Sequence, residues 1–240
     1  MFDLNKIEGI IFDYGGTIDS NGKHWAEVLW DAYQKVNVPI SKEIFREAYV
    51  YTERYLAVNP VVKPEHHFGH LLRIKTDLQI DYLVSNKYLE SGDKTKEYSV
   101  AISEQCYNFA KEIISEEIPI IKKLYDRYPM VLVSNFYGNV SSVLEDFELL
   151  SYFQTIVESS VVGVRKPDPA IFELGVKALS MPAENIVVIG DSHSKDIVPA
   201  SKNGCATIWL QGPGWGDDEE GATADVIITD FKELKNIFNV

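Results

Sequence analysis

Four stretches of this chain bring a polar side chain to the end of an apolar run or into a rigid turn. They are Ile10-Ile11-Phe12-Asp13 with Tyr14-Gly15-Gly16-Thr17 after it, Val131-Leu132-Val133-Ser134-Asn135, Arg165-Lys166-Pro167-Asp168-Pro169, and Ile186-Val187-Val188-Ile189-Gly190-Asp191 with Asp196 beyond. A carboxylate can attack phosphorus and split one difficult step into two through a covalent intermediate. Further carboxylates beside it can hold a hard divalent cation through oxygen. A hydroxyl and a lysine offer the donors and positive charge that a transferring phosphoryl group needs, because that chemistry is mainly positioning and electrostatic stabilisation. Each stretch alone has a bland explanation: Asp13 as a turn residue, Asp168 as a helix cap, Asp196 as an acid favoured at a helix N-terminus. Their conjunction is the informative signal.

For these groups to meet, the apolar runs must be neighbouring strands, since ligands of open parallel sheets bind beyond the strands' carboxyl ends near the topological switch point. The pattern after residue 118 supplies such a sheet. Helix 118–127 leads to strand 130–134, helix 139–148 to strand 155–159, helix 169–179 to strand 185–190 and helix 195–203 to strand 206–210. A last strand, 225–229, precedes a terminal helix. Strands alternating with helices at this spacing predict an α/β fold, a Rossmann-like doubly wound parallel sheet to which strand 7–13 is added.

Between residues 23 and 115 the pattern is helical instead. Trp25, Leu29, Ala32, Tyr33 and Val36 share one helical face that Pro39 ends, and Ser41 is placed to cap a second helix to about Val58. Asn59-Pro60 and Lys63-Pro64 mark a loop. A third helix passes through Leu71, Leu72 and Ile74, and a fourth begins near Thr95 and runs to Ile114. The chain therefore divides into a sheet-bearing core, 1–22 and 116–240, and a helical insertion, 23–115, that sits above it. The Gly-rich, acidic stretch 211–221 reads as a surface loop.

The 240 residues suffice for a sizeable core, and 45% hydrophobic with 25% charged residues is ordinary for a globular protein. A net charge of −13 argues against nucleic acid and anionic membrane surfaces as partners, while leaving small anions open because the local field governs a cleft. Cys106 and Cys205 match no metal or redox spacing and read as two buried thiols in a reducing compartment. With no basic flank and apolar core at the N-terminus, and no apolar run near the roughly 18 residues a span needs, the expected location is cytoplasmic.

The four stretches, taken in this order with a helical segment between the first and second, resemble the haloacid dehalogenase-like hydrolase superfamily over the whole chain length. Most of its members are phosphatases. The resemblance implies that Asp13 is the nucleophile, forming an aspartyl-phosphate that water hydrolyses. It implies a Mg²⁺ ion held by Asp13, Asp191 and the backbone carbonyl of Gly15, with Asp196 orienting metal-bound water from outside the ligand set. Ser134 and the backbone N–H of Asn135 would hold phosphate oxygens, Lys166 would neutralise charge, and Thr17 would help shape the phosphate-binding turn. The expected partner is a small phosphorylated substrate.

One position departs from the phosphatase pattern. Phosphatases of this family carry, two residues after the nucleophile, an aspartate that protonates the leaving oxygen; here Gly15 stands there. A positioned general acid is worth about 10²–10⁴-fold. Three readings follow. The protein hydrolyses substrates with good leaving groups or takes its proton from another donor, with His24, Tyr14, His66, His67 and His70 as candidates. It is phosphonatase-like, using a cap lysine such as Lys35, Lys42 or Lys63. Or it binds a ligand or partner without catalysis. The aromatic stripe Trp25, Trp30, Tyr33, Tyr49, Tyr51 and Tyr55 is expected to be cap core.

Overall fold

The computed structural model describes residues 3–212 and 223–240. The acidic, Gly-rich loop expected at 211–221 therefore lies, except for Gln211 and Gly212, outside the described residues. Six parallel strands form one sheet in the order β3-β2-β1-β4-β5-β6: β1 Gly9–Phe12, β2 Met130–Ser134, β3 Thr155–Glu158, β4 Ile186–Gly190, β5 Ala206–Leu210 and β6 Val226–Ile228. β1, β2 and β4 are buried at every residue, as continuous β-branched runs covered on both faces must be.

Side-chain alternation divides the core in two. Ile10, Phe12, Leu132, Val187 and Ile189 face one cluster, while Ile11, Val131, Val133 and Val188 face a second built on Ile171, Phe172 and Leu179 of the helix Ala170–Leu179. Strand order reverses between β1 and β4, where Phe12 stands opposite Ile189 and the Asp13 N–H donates to the Ile189 carbonyl at 2.9 Å. The residues that follow these two strands therefore emerge side by side.

Four long helices lie between β1 and β2: α1 Trp25–Lys35, α2 Lys42–Val58, α3 Phe68–Ser85 and α4 Asp93–Tyr125. Ser41 caps α2, its Oγ accepting from the Ile44 N–H. α4 corrects the sequence expectation of a break between Ile114 and a new helix at 118, because it runs unbroken for 33 residues with Pro119 inside it. Proline removes a backbone donor and normally ends a helix. Here one buried stripe through Ile102, Cys106, Ala110, Ile114, Ile121 and Leu124 continues past it, and tertiary burial outweighs the local penalty. α4 packs on α1, on α3 and on the C-terminal helix α9, Leu234–Phe238.

The remaining helices are short: α5 Val140–Asp146, α6 Ser159–Val162, α7 Ala170–Leu179, α8 Val198–Lys202 and α9 Leu234–Phe238. A turn of π-helix, His193–Ile197, leads from β4 into α8 where a plain α-helix from 195 is expected. No helix among the described residues is long and apolar enough to cross a membrane.

Candidate active site

The four stretches converge on one cavity of about 930 Å³ beyond the carboxyl ends of β1, β2 and β4. Asp13, directly after β1, is 5% exposed. Its Oδ1 is 2.5 Å from Lys166 Nζ, and its Oδ2 accepts a hydrogen bond from Thr17 Oγ1 at 2.9 Å. Lys166 also reaches Asp196 Oδ1 at 2.6 Å. Asp191 follows β4, and one oxygen from each of Asp13, Asp191 and Asp196 lies within 4.8 Å of the others. The π-turn places Asp196, whose Oδ2 accepts from the Ser192 N–H at 3.0 Å.

Three carboxylates around one ammonium leave excess negative charge in a buried place. Burial, aided by the charge of Asp196 and opposed by Lys166, pushes Asp13 up to about 6. Asp191 is pushed well above the usual carboxylate range by burial and by repulsion from Asp13 and Asp196. Burial alone would lower Lys166, but the two aspartates outweigh it and hold the ammonium protonated. Hard oxygen donors with unbalanced negative charge fit a hard divalent cation. Asp13, Asp191 and the carbonyl of Gly15 could hold one, with Asp196 close enough to orient its water.

The phosphate-side residues are fixed by neighbours. Ser134 ends β2, is 1% exposed and lines the cavity. The Asn135 side chain has a role the sequence reading did not foresee. Its Nδ2 donates to the Lys166 carbonyl at 3.0 Å and its Oδ1 accepts from the Lys166 N–H at 2.9 Å, which fastens the lysine loop to the strand-end loop. Glu158 steadies the same loop by accepting from the Gly138 N–H at 2.5 Å, and Ser159 Oγ accepts from the Phe136 N–H at 3.2 Å. Thr17, given a phosphate role by resemblance, is fully buried, does not line the cavity and turns its hydroxyl to Asp13. Asp168 Oδ1 accepts from the N–H of Ala170, the first residue of α7, at 3.0 Å, while Pro169 occupies the cap position itself.

The turn after Asp13 holds a carboxyl that sequence reasoning passed over. Asp19 is fully buried, lines the cavity, and accepts from the Gly16 N–H at 2.7 Å and from Trp25 Nε1 at 2.9 Å. Burial outweighs these two donors and holds it at about 7. At Gly15 there is room: among the described residues a Cβ placed there would have only Asp19 Oδ2 near it, at 4.0 Å.

Of the proton donors named from sequence, His24 alone lines the cavity. It caps α1, with Nδ1 accepting from the Ala26 N–H at 3.1 Å, and burial lowers it to about 4. Tyr14 is buried in an edge-on aromatic cluster with Phe68 and Phe136. His66 and His67 accept backbone N–H groups of Lys63 and Gly69, and neither they nor His70 line the cavity.

Lys35, Lys42 and Lys63 do not line it either. The cavity instead takes Lys75 from α3, paired with Glu53 of α2 at 2.7 Å. Burial would lower Lys75, but Glu53 and Tyr49 outweigh it and keep the amine charged, which is the wrong state for a Schiff-base nucleophile. Lys75 lies three and four residues after Leu72 and Leu71, on an otherwise buried face of α3, a spacing that by itself does not separate it from a solvated lysine. The aromatic stripe divides. Tyr33 is core, Trp25 and Tyr49 line the cavity, and Tyr51 is exposed.

A family model described as haloacid dehalogenase-like hydrolase matches residues 7–204. This chain belongs to that family. Members named as phosphatases stand among its relatives. The glyceraldehyde 3-phosphate phosphatase of Pyrococcus furiosus is 24% identical over 72% of this chain and 68% of its own length. The phosphoserine phosphatase of Thermus thermophilus is 28% identical over 36% of this chain and 34% of its own. Several of the curated relatives are thus matched over less than two thirds of their length, the Pyrococcus abyssi glyceraldehyde 3-phosphate phosphatase over 57%. Among solved structures, a magnesium-bound form of the HAD hydrolase YfnB of Bacillus subtilis superimposes with a TM-score of 0.61 at 20% identity, covering 98% of this chain and 99% of that one. A dehalogenase captured with an intermediate complex gives a TM-score of 0.66 at 15% identity, covering 99% and 98%. At these identities the superpositions speak to the HAD-like hydrolase fold.

Proposed function

We propose that this hydrolase is a Mg²⁺-dependent phosphatase of a small phosphorylated metabolite, working through an aspartyl-phosphate at Asp13. The observation that carries the reading is the disposition of Asp13. It is held by Thr17 on one oxygen and Lys166 on the other, at the floor of a cavity, with the oxygens of Asp191 and Asp196 within 4.8 Å. Asp13, Asp191 and the Gly15 carbonyl would hold the ion, which when bound neutralises charge on the phosphate oxygens. Asp13 attacks phosphorus, the ester oxygen departs with its electron pair, and water then displaces the aspartate and regenerates it. Lys166 offsets charge on the nucleophile and on the transferring group, and Ser134 and the Asn135 N–H hold oxygens that do not react.

The step left without its usual side chain is protonation of the leaving oxygen, because Gly15 contributes none. The reading therefore favours esters whose leaving group needs little help, or a proton relayed by water or by the substrate itself. In this scheme residues 23–115 act as a cap over a core of residues 1–22 and 116–240. The two unbridged, buried thiols Cys106 and Cys205 agree with a cytoplasmic setting.

Turnover with Mg²⁺ against acetyl phosphate, p-nitrophenyl phosphate and sugar phosphates, with Asp13→Asn as control, tests the reading. Activity that falls with leaving-group quality and vanishes in the control supports it. Absence of turnover across the panel in folded protein would transfer the function to binding without catalysis.

A further inference from the structure

Three residues from three elements meet on the cavity wall apart from the aspartate cluster: Glu53 on α2, Lys75 on α3, and Tyr137 in the loop that begins with Asn135. Lys75 Nζ lies 2.7 Å from Glu53 Oε1, and Tyr137 Oη donates to Glu53 Oε2 at 2.6 Å. The ammonium also sits 4.9 Å from the centre of the Tyr137 ring. The Lys75 and Glu53 side chains are 12% and 29% exposed, and both line the cavity. A largely buried ion pair contributes little net stability compared with apolar side chains of similar size, so packing alone does not account for this one.

The trio presents a balanced pair to a ligand, an acceptor carboxylate beside a donor ammonium. A hydroxyl group both donates and accepts, so it can satisfy both partners at once. A second carboxylate or phosphate on the substrate could accept from Lys75 but would meet Glu53 as a like charge. The cations Arg165 and Lys195, which also line the cavity, are exposed, where water and salt weaken their hold on an anion. Tyr49 lies one helical turn before Glu53 and adds an aromatic surface to the cavity wall.

We propose that Glu53, Lys75 and Tyr137 form the subsite for the departing part of the substrate, and that this part is an uncharged polyhydroxyl alcohol, a sugar or polyol, rather than one bearing a second anion, its departing oxygen taking a proton relayed by water or by the substrate's own neighbouring hydroxyl. The inference rests on the phosphatase reading and narrows its substrate class. A site built to hydrogen-bond hydroxyls discriminates strongly against ligands that leave its polar groups unmatched.

Binding is measured by calorimetry on the Asp13→Asn protein with Mg²⁺, using ribose 5-phosphate and glycerol 1-phosphate against phosphoglycolate and 3-phosphoglycerate. Glu53→Gln and Tyr137→Phe, both close in shape to the native residues, are then added singly. Acetyl phosphate turnover of the protein with Asp13, Glu53 and Tyr137 intact is measured separately. The hydroxylated esters should bind at least about tenfold more tightly than the carboxylated ones. Each added change should erode that ratio by about tenfold. Equal or tighter binding of phosphoglycolate, or a ratio unmoved by both changes, overturns the subsite. A subsite ratio that behaves as expected in a protein that does not turn over acetyl phosphate leaves the subsite standing and overturns the phosphatase reading instead.

Discussion

Gly16 stands so close to Asp191 that a Cβ on the glycine would lie 2.3 Å from Asp191 Oδ2. Its φ of +100° is also one that side-chain-bearing residues rarely adopt. The turn after Asp13 can therefore close against Asp191 only with glycine at this place. Gly16→Ala should displace Asp191, lowering Mg²⁺ affinity by about 10–100-fold with a comparable fall in activity, as disturbances around metal ligands commonly do. A magnesium titration of turnover reads this directly, and an unchanged titration would mean that Asp191 is not a ligand.

Removing the charge of Lys166 should cost stability as well as activity. The ammonium lies 2.5 Å from Asp13 and 2.6 Å from Asp196, with both partners almost fully buried. Breaking a buried pair while leaving its partners in place costs about 3–5 kcal/mol. Lys166→Met should therefore lower the thermal midpoint by several degrees, and added Mg²⁺ should recover part of the loss by balancing the exposed negative charge. A midpoint equal to that of the parent without metal would contradict this charge accounting.

Gly15→Asp should install the missing acid. The backbone there is unstrained, and the nearest atom to an added Cβ is 4.0 Å away. The expected outcome is a gain of at least about tenfold in kcat/KM on alkyl phosphates, with little change on acetyl phosphate, whose leaving group needs no proton. Equal gains on both, or none on either, would show that leaving-group protonation does not limit the parent enzyme.

His24 should make the fold sensitive to acid. Burial, with the nearby charge of Lys195, lowers its pKa from 6.5 to about 4. Between those values the unfolded chain binds a proton that the folded chain does not, so stability rises with pH across the window and is lost as pH falls from about 6.5 toward 4. His24→Asn keeps an acceptor at the cap of α1 without the titration. The stability difference between the two proteins should change by about 1–3 kcal/mol between pH 7 and pH 4. Urea unfolding at the two pH values measures it, and parallel curves would show that His24 does not titrate on unfolding.

Much of the site was legible because it lies where strands end. Apolar β-branched runs announced β1, β2 and β4, and the residue after each run is placed by the sheet with little freedom. Asp13, Ser134 and Asp191 could thus be named before their neighbours were known. Asp19, Glu53, Lys75 and Tyr137 could not. Their roles depend on which face of a helix or turn looks into the cavity, and polar residues on such faces carry no local mark separating them from solvated ones. Pro119 misled for a related reason, because a local helix-breaking signal lost to a long buried stripe that only packing reveals.

By itself the sequence determined the alternation of elements, the parallel sheet and the identity of the aspartates and lysine that could do phosphoryl chemistry, since strand and helix periods are written in nearest-neighbour spacing. Only the tertiary structure decided that Thr17 serves Asp13 rather than the cavity, that Asn135 ties down the Lys166 loop, and that Glu53 and Lys75 meet Tyr137 on the cavity wall. Those relations join residues far apart in the chain. They arise where buried charges must find partners, a requirement that acts through space and leaves no trace in local spacing.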